Sequence, residues 1–169
     1  MPTPKLIILR GPSGAGKSTV AKKLFENSQP KTALIEQDHY RFMFNPAGGG
    51  SKPNSDTIHK MIRDNALTAL SDGYDVILEG ILNIGSYGEV LEELFKRHPK
   101  ENYIFYFDIS FDETIRRHAI RRTPGHKFNE ADMKEWYPSA HKSGHEFEYI
   151  IPERFSAEET VRYITQMVL

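Results

Sequence analysis

The sequence predicts an α/β domain with a mainly parallel sheet, and three observations carry that expectation. Apolar runs of strand length alternate with segments of helical period along the chain. Those runs are apolar almost without interruption, as strands covered on both faces are. At 169 residues the chain has the size of one globular domain with a real core.

Taken in order, the first strand is expected over Lys5–Arg10, followed by a glycine-rich turn and a helix whose face is marked by Val20, Ala21, Leu24 and Phe25. The second strand is expected over Thr32–Gln37. The stretch Asn45–Ser55, with Pro46, Gly48, Gly49, Gly50 and Pro53, reads as a loop. Beyond it Ile58, Met61, Ile62, Ala66, Ala69 and Leu70 mark a second helix, and Gly73 stops it. Further strands are expected over Asp75–Glu79, Asn102–Ile109 and Glu148–Ile151. Three helices are expected to open with a Ser followed three residues on by Glu, each side chain satisfying the other's backbone N–H: Ser86/Glu89, Ser110/Glu113 and Ser156/Glu159. No internal repeat or second domain is visible, so residues 1–169 are expected to form a single domain.

Composition excludes several classes. There is no cysteine, hence no disulfide scaffold, thiolate metal site or cysteine nucleophile. Lys and Arg number 22 against 23 Asp and Glu, a net charge of −1, whereas proteins that grip long nucleic acid carry a basic excess. No apolar run approaches the ~18 residues of a membrane span. The start, Met1-Pro2-Thr3-Pro4-Lys5, lacks the pattern of a secretory signal, so a cytoplasmic protein without membrane partners is expected. Oligomeric state has no signature.

After the first strand comes Gly11-Pro12-Ser13-Gly14-Ala15-Gly16-Lys17-Ser18-Thr19, which matches G-x-x-x-x-G-K-[ST] at every fixed position, with a strand before it and a helix after. Small residues let backbone N–H groups curl around phosphates, and the helix start adds its positive dipole end. Lys17 would reach the β/γ-phosphates and Ser18 would hold Mg²⁺. Gly11, Ser13, Gly14, Ala15, Gly16 and Thr19 complete the nucleotide-binding set. The element resembles the Walker A motif of P-loop nucleoside triphosphate enzymes, which implies ATP and Mg²⁺. No N-K-x-D guanine reader occurs in the chain, and its length argues against a motor ATPase, so a phosphotransferase is expected.

In open α/β sheets ligands bind beyond the carboxyl ends of the strands, which places Asp38, at the end of the second strand, towards the γ-phosphate. A carboxylate there can orient a hydroxyl and take its proton; otherwise it caps the following turn. Arg41 lies three residues on and could clamp an anionic or polar part of the acceptor. Asp38-His39-Tyr40-Arg41 is similar to the D-x-x-R of bacteriophage-type polynucleotide 5′-kinases. An acidic residue is placed similarly in antibiotic-phosphorylating P-loop kinases and in zeta-type toxins. The resemblance makes Asp38 the general base and Arg41 an acceptor-binding residue. Tyr40, Phe42 and Phe44 read as core in preference to a stacking wall. Val76-Ile77-Leu78-Glu79-Gly80 looks like the Walker B strand of small kinases such as uridine kinase, with Glu in place of the commoner Asp; Glu79 then serves the metal's water shell or the acceptor.

Arg116, Arg117, Arg121 and Arg122 form a basic segment before Thr123-Pro124-Gly125, and Arg117 and Arg121 share a helix face. The layout through Trp136-Tyr137 is similar to the lid of polynucleotide kinases and related small kinases, about residues 117–137. The resemblance makes Arg121 the catalytic lid arginine and Arg117 a second, nucleotide-binding one; the alternative is a solvated basic face. His118, His126, His141 and His145 read as surface or cap residues, since a zinc site needs further ligands. The resemblance as a whole implies a three-layer P-loop fold with a five-stranded parallel sheet in the order 2-3-1-4-5 and a short lid. The expected activity is transfer of the ATP γ-phosphate to a hydroxyl of a small acceptor. A polynucleotide 5′-end is the less favoured acceptor, and an ATP-binding regulatory module is the rival from another class.

Overall fold

The computed structural model describes residues 2–29, 31–44, 55–120, 129–137 and 142–168. Five strands form one all-parallel sheet: β1 (Leu6–Arg10), β2 (Thr32–Glu36), β3 (Asp75–Gly80), β4 (Asn102–Asp108) and β5 (Glu148–Pro152). Their order is β2-β3-β1-β4-β5. The register runs Leu6 to Val76 and Asn102 on the two sides of β1, Thr32 to Asp75, and Ile104 to Glu148.

Seven helices occupy the described residues: α1 (Lys17–Glu26), α2 (Gln37–Phe44), α3 (Ser55–Ser71), α4 (Ile84–Arg97), α5 (Phe111–Ile120), α6 (Glu130–Trp136) and α7 (Ala157–Val168). The central strand shows why three layers form. Alternate side chains of a strand point to opposite faces. Leu6 and Ile8 enter one core with Ile58, Ile62, Ala66 and Leu70 of α3 and Leu91 and Leu94 of α4. Ile7 and Leu9 enter the other with Val20, Ala21 and Leu24 of α1 and Ile164 of α7. An apolar run buried on both faces is thus the direct consequence of helices on both sides.

Local details depart from expectation in places. Phe25 is 41 % exposed, and Phe42 and Phe44 are each 50 % exposed, so they are not core. Tyr40 is buried, its hydroxyl accepting a hydrogen bond from Asn65 Nδ2 at 2.9 Å. Helix α4 starts earlier than Ser86 because Asn83 caps it, its Oδ1 accepting the Gly85 N–H at 2.8 Å. Ser110 caps α5 by accepting the Glu113 N–H at 3.3 Å, but Glu113 does not return the bond. Its carboxylate faces Arg116 and Arg117 instead, and Glu153 Oε2 takes the Ser110 N–H at 2.7 Å. Ser156 and Glu159 form the expected reciprocal pair. A second such box, Asn129 with Asp132, opens α6. Gly73, at φ +83°, ends α3 with its N–H on Leu70 O.

All strands being parallel, their carboxyl ends lie on one edge. The expected site residues within the described chain lie on the loop after β1, at the end of β3 and in helices α1, α2 and α5, which follow β1, β2 and β4. No helix among the described residues is long and apolar enough to cross a membrane.

Candidate active site

Between β1 and α1 the chain makes a loop that only glycine permits at three positions. Gly11, Gly14 and Gly16 have φ of +145°, +80° and +93°. A Cβ at Gly11 would meet the Phe107 carbonyl at 2.9 Å, and one at Gly14 would meet the Thr114 carbonyl at 2.9 Å and Met133 at 3.1 Å. The loop is therefore wedged between β4, α5 and α6. Gly16 provides no side-chain cap for α1, which leaves the first-turn N–H groups of that helix directed into the loop.

Lys17 is buried and its Nζ donates to Pro12 O at 2.7 Å, so its charge is folded back over the cradle. Ser18 Oγ donates to Glu79 Oε1 at 2.9 Å. This bond joins the first turn of α1 to the end of β3. Burial pushes the Glu79 carboxyl above its ordinary value; Lys17 and the Ser18 bond pull it back, and Asp38 and Glu36 push it further up. Asp38 is thus near enough for its charge to act on Glu79.

Strand β2 ends at Glu36, one residue sooner than expected, so Asp38 stands in the first turn of α2 rather than on the strand. Its Oδ1 pairs with Arg41 Nη1 at 3.1 Å, and both side chains remain largely open to solvent. Gln37, which sequence reasoning passed over, is buried. Its amide oxygen accepts the Leu82 N–H at 3.4 Å, the Tyr87 hydroxyl bonds to the same side chain, and a Cβ on Gly80 would collide with it. Gln37 thus fastens the start of α2 to the end of β3.

On the other side of the loop, Arg117 lies close. Its Nε donates to Glu113 Oε1 at 2.7 Å, Nη1 to Ala15 O at 2.9 Å and Nη2 to Glu153 O at 2.9 Å. The two arginines hold the Glu113 carboxyl at about 2. Arg117 borders a pocket of about 300 Å³ between α1, the ends of β4 and β5, and the start of α7. Ile151, Pro152, Phe155 and Ala157 supply much of its apolar wall. Sequence reasoning missed this pocket, although the strand-end rule that selected Asp38 applies equally to β5. Arg121, with His126, lies outside the described residues, as do residues 121–128 of the expected lid, and His141. His145 is not a plain surface residue: it pairs with Glu92 at 3.1 Å and stacks on Phe147.

Among the described residues no cluster of three or more His, Asp or Glu gathers that could cage an ion unaided. A hydroxyl and a carboxylate 2.9 Å apart at the cradle's edge fit an ion that takes its remaining oxygens from phosphates and water.

The AAA domain family profile matches residues 6–140. A calmodulin calcium-dependent NAD kinase from Arabidopsis thaliana is 29 % identical over 118 residues, covering 60 % of this chain and 22 % of the relative. The chain spans about a fifth of that relative's length. Two solved structures share the fold at a TM-score of 0.72 and 18 % identity. One is a gluconokinase from Sinorhizobium meliloti 1021, covering 99 % of this chain and 95 % of that one. The other is the APS kinase CysC from Mycobacterium tuberculosis in complex with AMPPNP and APS, covering 99 % and 98 %.

Proposed function

The chain belongs to the AAA domain family and has the fold of P-loop kinases, and from this premise we propose that it transfers the γ-phosphate of ATP to a hydroxyl of a small acceptor. What supports the reading is the Ser18–Glu79 bond that ties the cradle to the end of β3, with the carboxylate of Asp38 in the first turn of α2 acting on Glu79. A cradle alone would serve any nucleoside triphosphatase. A second carboxylate facing it from a separate helix provides for an acceptor.

In this reading the N–H groups of the 11–16 loop and α1 hold the phosphates, and Lys17 leaves Pro12 O to follow the β/γ-phosphate charge. Asp38 accepts the acceptor's hydroxyl proton as the oxygen closes on phosphorus. Ser18 and Glu79 would hold Mg²⁺, which supplies charge neutralisation on the phosphate oxygens. Arg41 orients the acceptor beside Asp38. Arg117 fixes the wall of the base pocket, and Arg121 would stabilise the transferring group from the lid. The net charge of −1 supports a small acceptor over a polymer.

Incubation with γ-labelled ATP and Mg²⁺ against sugar acids, nucleosides, antibiotics and a 5′-hydroxyl oligonucleotide tests the reading. Label transferred to a small hydroxyl compound, and lost in Asp38→Asn, is the expected outcome. Efficient labelling of the oligonucleotide alone transfers the reading to a polynucleotide kinase. Nucleotide binding without any phosphorylated product supports a regulatory module.

A further inference from the structure

On the phosphotransferase reading, the last turn of α2 bears on which acceptor the site prefers. That turn ends in consecutive apolar side chains, Phe42, Met43 and Phe44, each about half-exposed. Single exposed apolar residues are ordinary on a protein surface, so exposure alone gives none of them a role. Their positions around the helix axis separate them.

With 3.6 residues per turn, successive side chains stand about 100° apart. Asp38, the proton acceptor of the proposed transfer, is therefore flanked by Arg41 about 60° to one side and by Phe42 about 40° to the other. Met43 and Phe44 lie about 140° and 120° away from it. They stand in line with His39 and Tyr40, each four residues back. Helical side chains lean towards the N-terminus, so a residue covers the turn before its own. Arg41 does this, its Nη1 reaching Asp38 Oδ1 at 3.1 Å. The same lean carries the Phe42 ring back along the other flank of that carboxylate.

The helix rests on the protein by a different face. Gln37 and Tyr40 are buried there, Gln37 bonded to the Leu82 N–H and Tyr40 to Asn65. The side chains of Asp38 and Arg41 stay largely open to solvent. Their charges both act on Tyr87 at the start of α4, and that of Asp38 also on Glu79 at the end of β3, so this open face adjoins the carboxyl edge of the sheet. A hydroxyl compound that reaches Asp38 thus has a guanidinium on one side and a phenyl ring on the other. Both are flat groups that stack on aromatic rings, whereas a polyol draws no hydrogen bond from a phenyl ring.

Resting on that reading, we propose that Phe42 is an acceptor-contacting residue and that the preferred acceptor carries an aromatic ring on its hydroxyl-bearing part. A nucleobase and a simple aryl group share this chemistry, and matched acceptors distinguish them.

The full chain is assayed with γ-labelled ATP and Mg²⁺ on methyl against phenyl glucoside and on methyl riboside against cytidine, beside the sugar acids and antibiotics. The members of a pair offer the same kind of sugar hydroxyl and differ in the ring. The expected result is a kcat/KM at least about tenfold higher for the ring-bearing member of one pair, and the pair that shows it identifies the kind of ring. Phe42→Ala should raise the KM of whichever ring-bearing compound is labelled by at least about fivefold, with MgADP affinity and the KM of ring-free acceptors within about twofold of the parent. Phe42→Tyr, which keeps the ring, should restore the parent KM. Met43→Ala and Phe44→Ala, on the other faces, should stay within about twofold. Label confined to acceptors without an aromatic ring, equal use within both pairs, an equal effect of Phe42→Ala on ring-bearing and ring-free acceptors, or a Phe44→Ala effect as large as that of Phe42→Ala overturns the inference and leaves the phosphotransferase reading standing. If no small hydroxyl compound is labelled, the small-acceptor reading itself fails and the inference falls with it.

Discussion

At the scale of single residues, the site is a balance of charge around one buried carboxylate. Glu79 lies at the end of β3 with its carboxyl raised by burial, so the folded protein favours its protonated form more than the unfolded chain does. The sign follows: its contribution to stability is full below the ordinary Glu value and is lost as pH rises through the elevated one. Glu79→Gln should therefore raise the melting temperature of the nucleotide-free protein at neutral pH relative to acid pH. It should also lower any Mg²⁺-dependent turnover, because a neutral amide oxygen serves a cation's shell without the carboxylate's charge. Parallel melting curves from pH 4 to 8 for both proteins check the first part, and equal pH slopes would refute it. Asp38 is exposed and, among the described residues, pairs with Arg41. Asp38→Asn should leave nucleotide affinity intact and lower transfer by roughly 10²–10⁴-fold, the contribution of a general base. A single-turnover rate near that of the parent returns Asp38 to a capping role.

At the scale of elements, two junctions decide how the site is assembled. Gln37 joins α2 to β3, and its amide lies where a Cβ on Gly80 would stand. Gly80→Ala should cost about 1–3 kcal/mol through overpacking and displace Asp38 with its helix. Gln37→Ala in the same chain should remove most of that penalty, because contacting residues couple non-additively. Denaturant unfolding of the two single variants and the double variant reads the coupling, and simple additivity would refute the contact's role. Legibility divides along the same line. Strands and their covering helices were readable from apolar period, since Leu6 to Leu9 can be buried only between two layers. The cradle was readable because backbone geometry demands glycines at fixed spacing. Gln37, Glu153 and Asn83 were not, because each acts through a side chain on a partner brought near only by tertiary folding or by a local cap competing with Ser86. Phe42 and Phe44 misled for the converse reason: aromatic character predicts burial only where some element comes to cover it.

At the scale of the whole molecule, the sheet is tied across its width by one ion pair that no pattern in the sequence announces. Arg10 ends β1 inside the protein, 1 % exposed, where an apolar strand residue would be expected. Its Nη1 meets Glu148 Oε1 at 2.9 Å, its Nε donates to Leu82 O at 3.3 Å, and its guanidinium lies 5.0 Å over the Tyr106 ring. Glu148 also accepts the Ser143 N–H at 2.6 Å. One side chain thus connects the central strand, immediately before the cradle, to the edge strand β5 and to the turn after β3, where Leu82 adopts φ +44°. Burial pulls the guanidinium below its ordinary value, and Glu148 restores part of the loss. A buried pair of this kind costs nearly as much in desolvation as it returns in attraction, so its energetic signature lies in breaking it. Glu148→Ala should destabilise the protein by about 3–5 kcal/mol, because Arg10 is left charged without its carboxylate. Replacing both, as Arg10→Met with Glu148→Leu, should recover most of that loss and can reach parent stability. If the pair also sets the spacing between β1 and β5, the double variant should fold yet bind MgADP more weakly, since the pocket beside Arg117 spans the ends of β5 and of β4, the strand between them. Denaturant unfolding with MgADP titration separates the two effects. Parent stability with parent affinity in the double variant would leave the pair without a role in shaping the nucleotide site, and a loss below about 1 kcal/mol in Glu148→Ala would refute its role in holding the sheet.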